Sequence, residues 1–140
     1  MGNTEGRAEI VTAVLRQHGR VLLVHRSPQR QAFPNLWGFP GGHIDPGEGA
    51  EQALVRELAE ELDIGVARPT DGPVAVIDGD ELHLRVWLIE AWTGIPTNAA
   101  PEEHDDLIWA DLDQARSLDL AHPEYYPLLT DLLTEPKSAK

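Results

Sequence analysis

Short apolar runs alternate with polar breaks in the first third of the chain, a pattern typical of strands joined by tight turns. Residues 10–15 and 21–24 are apolar or β-branched and flank His18-Gly19, which predicts a first β-hairpin. Residues 29–34 have the composition of a loop. The segment 36–39 that follows is predicted to be a short extended piece.

The middle of the chain changes from strand-like to helix-like patterning. Residues 41–49 contain four glycines and one proline and are predicted to be loop. Residues 50–62 contain neither and are rich in Ala, Leu, Glu and Arg, which predicts a helix. Residues 74–77 and 82–92 flank Asp78-Gly79-Asp80, a strong signal for a second hairpin.

The remaining pattern completes a mixed α/β fold. Residues 107–109 predict one more short strand, and residues 123–133 a C-terminal helix with proline at its start. Strands on both sides of a central helix indicate a mixed sheet covered on both faces. We expect a single domain over residues 1–140 with an ordered core of about 7–134, because both ends are small and polar.

Composition narrows the class of partner. The 140 residues include 24 acidic and 11 basic side chains, for a formal net charge of −13. Such a surface repels phosphate backbones and anionic membranes, so we expect neither nucleic acid nor membrane as a partner. The absence of cysteine excludes disulfides and zinc–thiolate sites. With no apolar run of about 20 residues, a cytoplasmic protein is expected.

The predicted helix places acids on its apolar face. At 100° per residue from Ala50, Ala53 falls at about 300° and Leu54 at about 40°. Glu57 and Glu61 fall at about 340° and 20°, inside the same arc. A helix packed on a core would have apolar residues at these positions.

Crowded acids of this kind need either water or a cation. Glu60 lies beside the arc at about 280°, and a solvated acidic helix explains it well. The same explanation accounts poorly for Glu57 and Glu61, whose pKa values would rise unless a cation compensated their charge. Hard cations such as Mg²⁺ and Mn²⁺ prefer carboxylate oxygens and substrate phosphates as ligands.

The loop before the helix adds a specific motif. Gly42, Glu48 and the segment 56–64 (Arg-Glu-Leu-Ala-Glu-Glu-Leu-Asp-Ile) resemble the signature of the Nudix hydrolases, Gly-x5-Glu-x7-Arg-Glu-U-x-Glu-Glu-x-Gly-U, where U is a bulky aliphatic residue. Every specified position agrees except Asp63, where the family has glycine. Glycine there would suit a left-handed helix end, a conformation that aspartate tolerates better than most residues.

The resemblance implies a Nudix-type α/β/α sandwich that cleaves a diphosphate bond in a nucleoside diphosphate linked to another moiety. It implies that Mg²⁺, or Mn²⁺ as a substitute, is held by Glu57, Glu60, Glu61 and the carbonyl of Gly41. Arg56 would orient Glu57, and Glu48 would join the metal through water or hold the loop. Glu57 is the favoured general base, with an acid of a later loop as its competitor; Glu60 completes the catalytic set.

Other residues extend the predicted substrate site. Arg26 follows the second strand and is a candidate phosphate clamp, and Gly42, Glu48 and Glu103 are further candidates for substrate binding. No pair of the six histidines has zinc-like spacing, so none is assigned a metal role. Trp87 is the tryptophan most suited to line a substrate pocket.

The substrate is approached by elimination within the family. The marker residues of the sugar-nucleotide and dinucleoside-polyphosphate branches are missing, and the coenzyme A pattern is only partly present. The chain therefore resembles most the MutT-like nucleoside triphosphate pyrophosphohydrolases. Sugar nucleotides and coenzyme A type substrates stay open, as does a nucleotide-sensing module without turnover. An RNA-end hydrolase is disfavoured by the charge, and a monomer or a homodimer is expected.

Overall fold

The computed structural model describes residues 7–30 and 33–134, so the predicted loose ends at 1–6 and 135–140 lie outside the described residues. The described elements are seven strands and three helices. They are β1 (Ala8–Gln17), β2 (Arg20–Arg26), β3 (Trp37–Gly38), β4 (Gly41–His43), α1 (Ala50–Leu62), β5 (Ala75–Asp78), β6 (Leu82–Ile89), β7 (His104–Ala110), α2 (Leu112–Arg116) and α3 (Tyr125–Leu133).

Strand β1 is the centre of a mixed sheet with the order β3-β2-β1-β6-β5. It runs parallel to β6 along eight residue pairs, from Ala8↔Leu82 to Leu15↔Ile89, and antiparallel to β4. It pairs with β2 only through Arg16↔Val21 and Gln17↔Arg20. Strand β2 in turn pairs with β3 and β7. The predicted mixed sheet is confirmed.

Helices cover both faces of the sheet, as predicted. Four residues of α1 are fully buried on one face, where they form a cluster with residues of β1, β2 and β6: Ala53, Leu54, Leu58 and Leu62. On the other face, Ala115 of α2 and Tyr125 and Leu129 of α3 form a second cluster with Val14 and Leu23. Burial of the apolar side chains in these two clusters holds α1 against one face of the sheet and α2 and α3 against the other.

The two predicted hairpins and the central helix are confirmed. His18 and Gly19 form the first turn with φ of 54° and 75°, the left-handed conformation that tight hairpin turns require. Helix α1 has the predicted bounds. It ends at Asp63, whose φ of 59° and ψ of 42° are left-handed, and whose N–H donates to the carbonyl of Ala59.

Most strand boundaries differ from the predictions by one to three residues, and three differences are informative. Residues 41–49 were expected to be loop throughout, but 41–43 form β4, because β1 offers them a backbone partner. Strand β7 begins at His104 rather than at residue 107. Strand β6 ends at Ile89, before the predicted residue 92.

The C-terminal part contains one helix that the sequence pattern did not predict. Helix α2 has only five residues, too few for a readable apolar period. Its N-terminus is capped by Asp111, whose carboxylate accepts from the N–H of Gln114 at 2.9 Å. Helix α3 begins at Tyr125, two residues later than the predicted start at Pro123, so the proline precedes the helix.

Candidate active site

Glu61 lies on the buried face of α1, and only 3% of its surface is exposed. Its Oε1 accepts from the N–H of Gly41, at the start of β4, at 3.1 Å. The predicted placement of Glu61 inside the apolar arc is therefore what the structure shows. The contact joins the middle helix directly to the glycine-rich segment before it.

The carboxyl groups of Glu57 and Glu61 lie side by side and share a hydrogen bond. Burial raises the pKa of Glu61 far above its ordinary value, and a hydrogen bond to Glu57 and the negative charge of that side chain raise it further. Gly42 makes room for this pair, because a Cβ at position 42 would lie 2.5 Å from the carboxyl carbon of Glu57. Two poorly hydrated carboxylates so close together repel each other when both are ionised. A cation bound between them would offset that repulsion.

Arg56 holds the neighbouring carboxylates in place. Its Nε and Nη2 donate to the two carboxylate oxygens of Glu48 at 2.7 and 2.9 Å, and Nη2 also donates to the carbonyl of His43 at 3.0 Å. Its Nη1 donates to Glu57 at 3.0 Å and to Glu60 at 3.2 Å. The expected contact between Arg56 and Glu57 is present.

Glu48 and Glu60 occupy different environments. The side chain of Glu48 is 10% exposed, and its hydrogen bonds from Arg56 and from the N–H of Asp45 lower its pKa to about 2. These bonds favour the loop-holding alternative for Glu48. The side chain of Glu60 is 59% exposed and contacts Arg56 on the outer side of α1. Its role as a metal ligand stays a prediction.

A second group of ligand atoms surrounds Glu61. Among the described residues, Glu61, Glu103 and His104 each offer one oxygen or nitrogen within 4.8 Å of the others. Glu103, which the sequence analysis predicts to be a site acid, therefore lies close to Glu61. His104 was given no metal role, and the sequence signal that would have found it is its position directly after two glutamates at the start of β7.

Basic side chains border this group. Arg26 ends β2, with its guanidinium carbon 6.0 Å from the ring centre of Phe33. Burial and the nearby Arg30 lower the pKa of Arg26, whereas Glu61 and Glu103 act in the opposite direction. Arg30 lies 3.7 Å from Glu103. Arg26 is thus near the carboxylates of Glu61 and Glu103, and its role as a phosphate clamp stays a prediction.

Trp87 lies elsewhere. It is 2% exposed and lines a cavity of about 350 Å³ between residues 87–91, at and beyond the end of β6, and the loop residues 67–72. The residues around this cavity do not include Glu57, Glu61 or Arg26. Its use for substrate stays a prediction.

Within residues 7–30 and 33–134, no helix is long and apolar enough to cross a membrane.

Comparison with known proteins decides the family. The sequence profile of the NUDIX domain matches residues 6–132 of this chain. The chain belongs to the Nudix hydrolase family. It is a hydrolase of pyrophosphate bonds, and Nudix hydrolases generally use a divalent metal ion, for which the carboxylates around Glu61 are suitable ligands.

Relatives and solved structures agree with this assignment. A CTP pyrophosphohydrolase of Escherichia coli (strain K12) is 35% identical to this Nudix hydrolase, over 86% of the chain and 87% of the relative. An 8-oxo-dGTP diphosphatase of the same strain is 30% identical, over 64% of the chain and 71% of the relative. The crystal structure of a MutT NUDIX hydrolase from Burkholderia pseudomallei is 30% identical, with a TM-score of 0.73 over 91% of this chain and 98% of that one.

Proposed function

We propose that this Nudix hydrolase cleaves a nucleoside triphosphate to the nucleoside monophosphate and pyrophosphate, with Mg²⁺ held by Glu57, Glu60, Glu61 and the carbonyl of Gly41. Mn²⁺ would substitute for it. The observation that carries the proposal is the close approach of the partly buried Glu57 to the buried Glu61. Their mutual repulsion and lost hydration are compensated when a hard cation binds their oxygens.

When bound, Mg²⁺ would neutralise the charge of the diphosphate and lower the pKa of a water molecule. Glu57, oriented by Arg56, accepts the proton of the attacking water. The water oxygen bonds to phosphorus as the bridging P–O bond breaks, and the departing phosphate oxygen keeps the electron pair. Glu103 is the competing base, because it lies near Glu61.

The phosphates of the substrate would approach from the side of Arg26 and Arg30. These two cations border the carboxylate group in a protein whose formal net charge is −13. A guanidinium binds phosphate oxygens with two directed hydrogen bonds, which suits Arg26 for orienting the chain of phosphates. Arg30 contributes charge beside Glu103.

The substrate class is supported by the relatives. Their names include CTP pyrophosphohydrolase, nucleoside triphosphatase NudI and 8-oxo-dGTP diphosphatase, all of which refer to nucleoside triphosphates. CTP is the first substrate to test, because the relative with that name is similar over most of both chains.

The test is a panel of substrates followed by ³¹P NMR in the presence of Mg²⁺. The panel contains CTP, the other nucleoside triphosphates and their deoxy forms, a sugar nucleotide, a dinucleoside polyphosphate and coenzyme A. We expect a monophosphate and pyrophosphate from a triphosphate, with a rate that rises above neutral pH. Cleavage of only another class would reject the triphosphate assignment.

Two controls complete the test. Excess EDTA should abolish turnover, so full activity in EDTA would contradict the metal role. Glu57→Gln and Glu61→Gln should each lower the rate by orders of magnitude in a folded protein. Tight nucleotide binding by the wild type with no product would instead support a nucleotide-sensing module.

A further inference from the structure

His104 is a buried imidazole directed at the acidic group. It is the first residue of β7 and is 2% exposed. Its Nε2 lies 3.9 Å from Oε1 of Glu61, too far for a hydrogen bond. Its Nδ1 is buried and has no hydrogen-bond partner in the described part of the chain. The nitrogen that faces the carboxylate of Glu61 is therefore Nε2, and the geometry of the ligand group concerns that atom.

Hydrogen bonds of the main chain hold the segment that carries His104 in place. The N–H of His104 donates to the carbonyl of Ala100 at 3.1 Å, and the side chain of Asn98 donates to the carbonyl of His104 at 2.7 Å. The N–H of Ala99 donates to the main-chain carbonyl of Glu61 at 2.9 Å. The loop that carries His104 is therefore tied to the end of α1 that carries Glu61.

The donor set differs from an all-oxygen site. Glu61 and Glu103 offer carboxylate oxygens, and His104 offers an imidazole nitrogen, all within 4.8 Å of one another. Mg²⁺ takes oxygen ligands, whereas Co²⁺, Ni²⁺ and Zn²⁺ bind imidazole well. The additional nitrogen therefore favours a transition-metal ion over Mg²⁺ at this point.

We propose that His104 is a ligand, together with Glu61 and Glu103, of a divalent transition-metal ion of the Co²⁺, Ni²⁺ and Zn²⁺ class. This inference deepens the proposed function and rests on it only in sharing Glu61 as a cation ligand. The shared residue makes this ion a neighbour or a replacement of the one held through Glu57.

The test uses full-length protein labelled with ¹⁵N in its histidine rings and Zn²⁺ alone as the probe. Long-range ¹H–¹⁵N spectra are recorded before and after addition of Zn²⁺, and the signal of His104 is assigned with His104→Gln. We expect Zn²⁺ to displace one ring nitrogen signal of His104, and Mg²⁺ to leave it unchanged. His122 is the control, since it is also buried but packs against Phe33 and Tyr125.

Binding of each metal is measured in parallel by calorimetry. His104→Gln should weaken Zn²⁺ binding by about tenfold or more. The same change should alter Mg²⁺ binding little, because an amide oxygen suits Mg²⁺ and not Zn²⁺. Glu103→Gln provides a second variant, with weaker Zn²⁺ binding expected. If His104→Gln does not fold, Glu103→Gln and the wild-type spectra decide the matter, with the His104 signal assigned through its neighbours.

An unchanged His104 signal at saturating Zn²⁺, or equal Zn²⁺ affinity in the folded variant, would overturn the proposal. Its failure is distinct from that of the proposed function. Mg²⁺-dependent cleavage of a triphosphate without a Zn²⁺ effect at His104 would reject only the histidine ligand. A displaced His104 signal in a protein without turnover would reject only the proposed reaction.

Discussion

The guanidinium of Arg56 and the carboxylate of Glu48 are joined by two hydrogen bonds of 2.7 and 2.9 Å. This bidentate pair connects the middle of α1 to the loop before it. It holds the pKa of Glu48 at about 2 and raises that of Arg56. The same guanidinium contacts Glu57, so the loop, the helix and the proposed base are positioned together.

Replacement of Arg56 should therefore impair the chemical step rather than substrate binding. For Arg56→Ala we expect kcat to fall by about 10²-fold or more with little change in KM, because Glu57 loses its orientation. Arg56→Lys should not restore the rate, since an ammonium cannot reproduce the bidentate bond. Steady-state kinetics of both variants with Mg²⁺ checks this. A raised KM with unchanged kcat would contradict the assignment.

Replacement of Arg26 should have the opposite effect. If Arg26 binds a phosphate in the ground state and the transition state alike, Arg26→Ala raises KM by roughly tenfold and lowers kcat only modestly. Arg20→Ala is the matched control, because it removes the same charge from the exposed opposite end of β2. Equal changes in the two variants would show a general electrostatic effect that added salt weakens.

The stability of the metal-free protein should depend on Glu61. Burial raises the pKa of Glu61 in the folded state, so the folded chain binds a proton that the unfolded chain releases. Stability is then lost progressively as pH rises above the ordinary glutamate pKa. Glu61→Gln should raise the free energy of unfolding by about 1–3 kcal/mol at pH 8, with no gain at pH 4.

Thermal melts with and without Mg²⁺ check this prediction. Mg²⁺ should raise the Tm of the wild type at pH 8, and raise that of Glu61→Gln much less, because ligand binding to the folded state adds stability. Glu60→Gln is the control, since Glu60 is largely exposed and should leave the metal-free Tm nearly unchanged. A lower Tm for Glu61→Gln in EDTA at pH 8 would be evidence against a destabilising buried charge at Glu61.

The left-handed end of α1 offers a test independent of catalysis. Asp63 has a φ of 59°, a conformation that costs a residue with a Cβ about 1 kcal/mol and glycine nothing. Asp63→Gly should therefore stabilise the fold by about 0.5–1 kcal/mol, and Asp63→Ala should destabilise it. Chemical denaturation of the three proteins measures both effects, and a less stable glycine variant would contradict the prediction.

Local patterns predicted the parts of the molecule that local interactions decide. The bounds of α1, the position of Glu61 on its buried face and the left-handed Asp63 all follow from helix periodicity and backbone preference. Strand β4 was not predicted because its glycine-rich segment is extended only through pairing with β1.

The grouping of His104 with Glu61 could not be predicted either. It joins residues on different elements far apart in the chain, and no periodicity links them. The sequence shows His104 directly after Glu102 and Glu103, but nothing in the sequence places that segment beside Glu61. The tertiary fold supplies the contact, since the loop from Asn98 to His104 is hydrogen-bonded across to the end of α1.

The narrow junction between β1 and β2 has a consequence for folding. Glu57 and Glu61 belong to the half of the molecule built on β1, β4 and β6, whereas Arg26 and His104 face each other in register on β2 and β7. The candidate site is therefore absent from either half alone. Cation binding should therefore slow hydrogen exchange of amides in both halves together, because the ion binds fully only when both halves are folded.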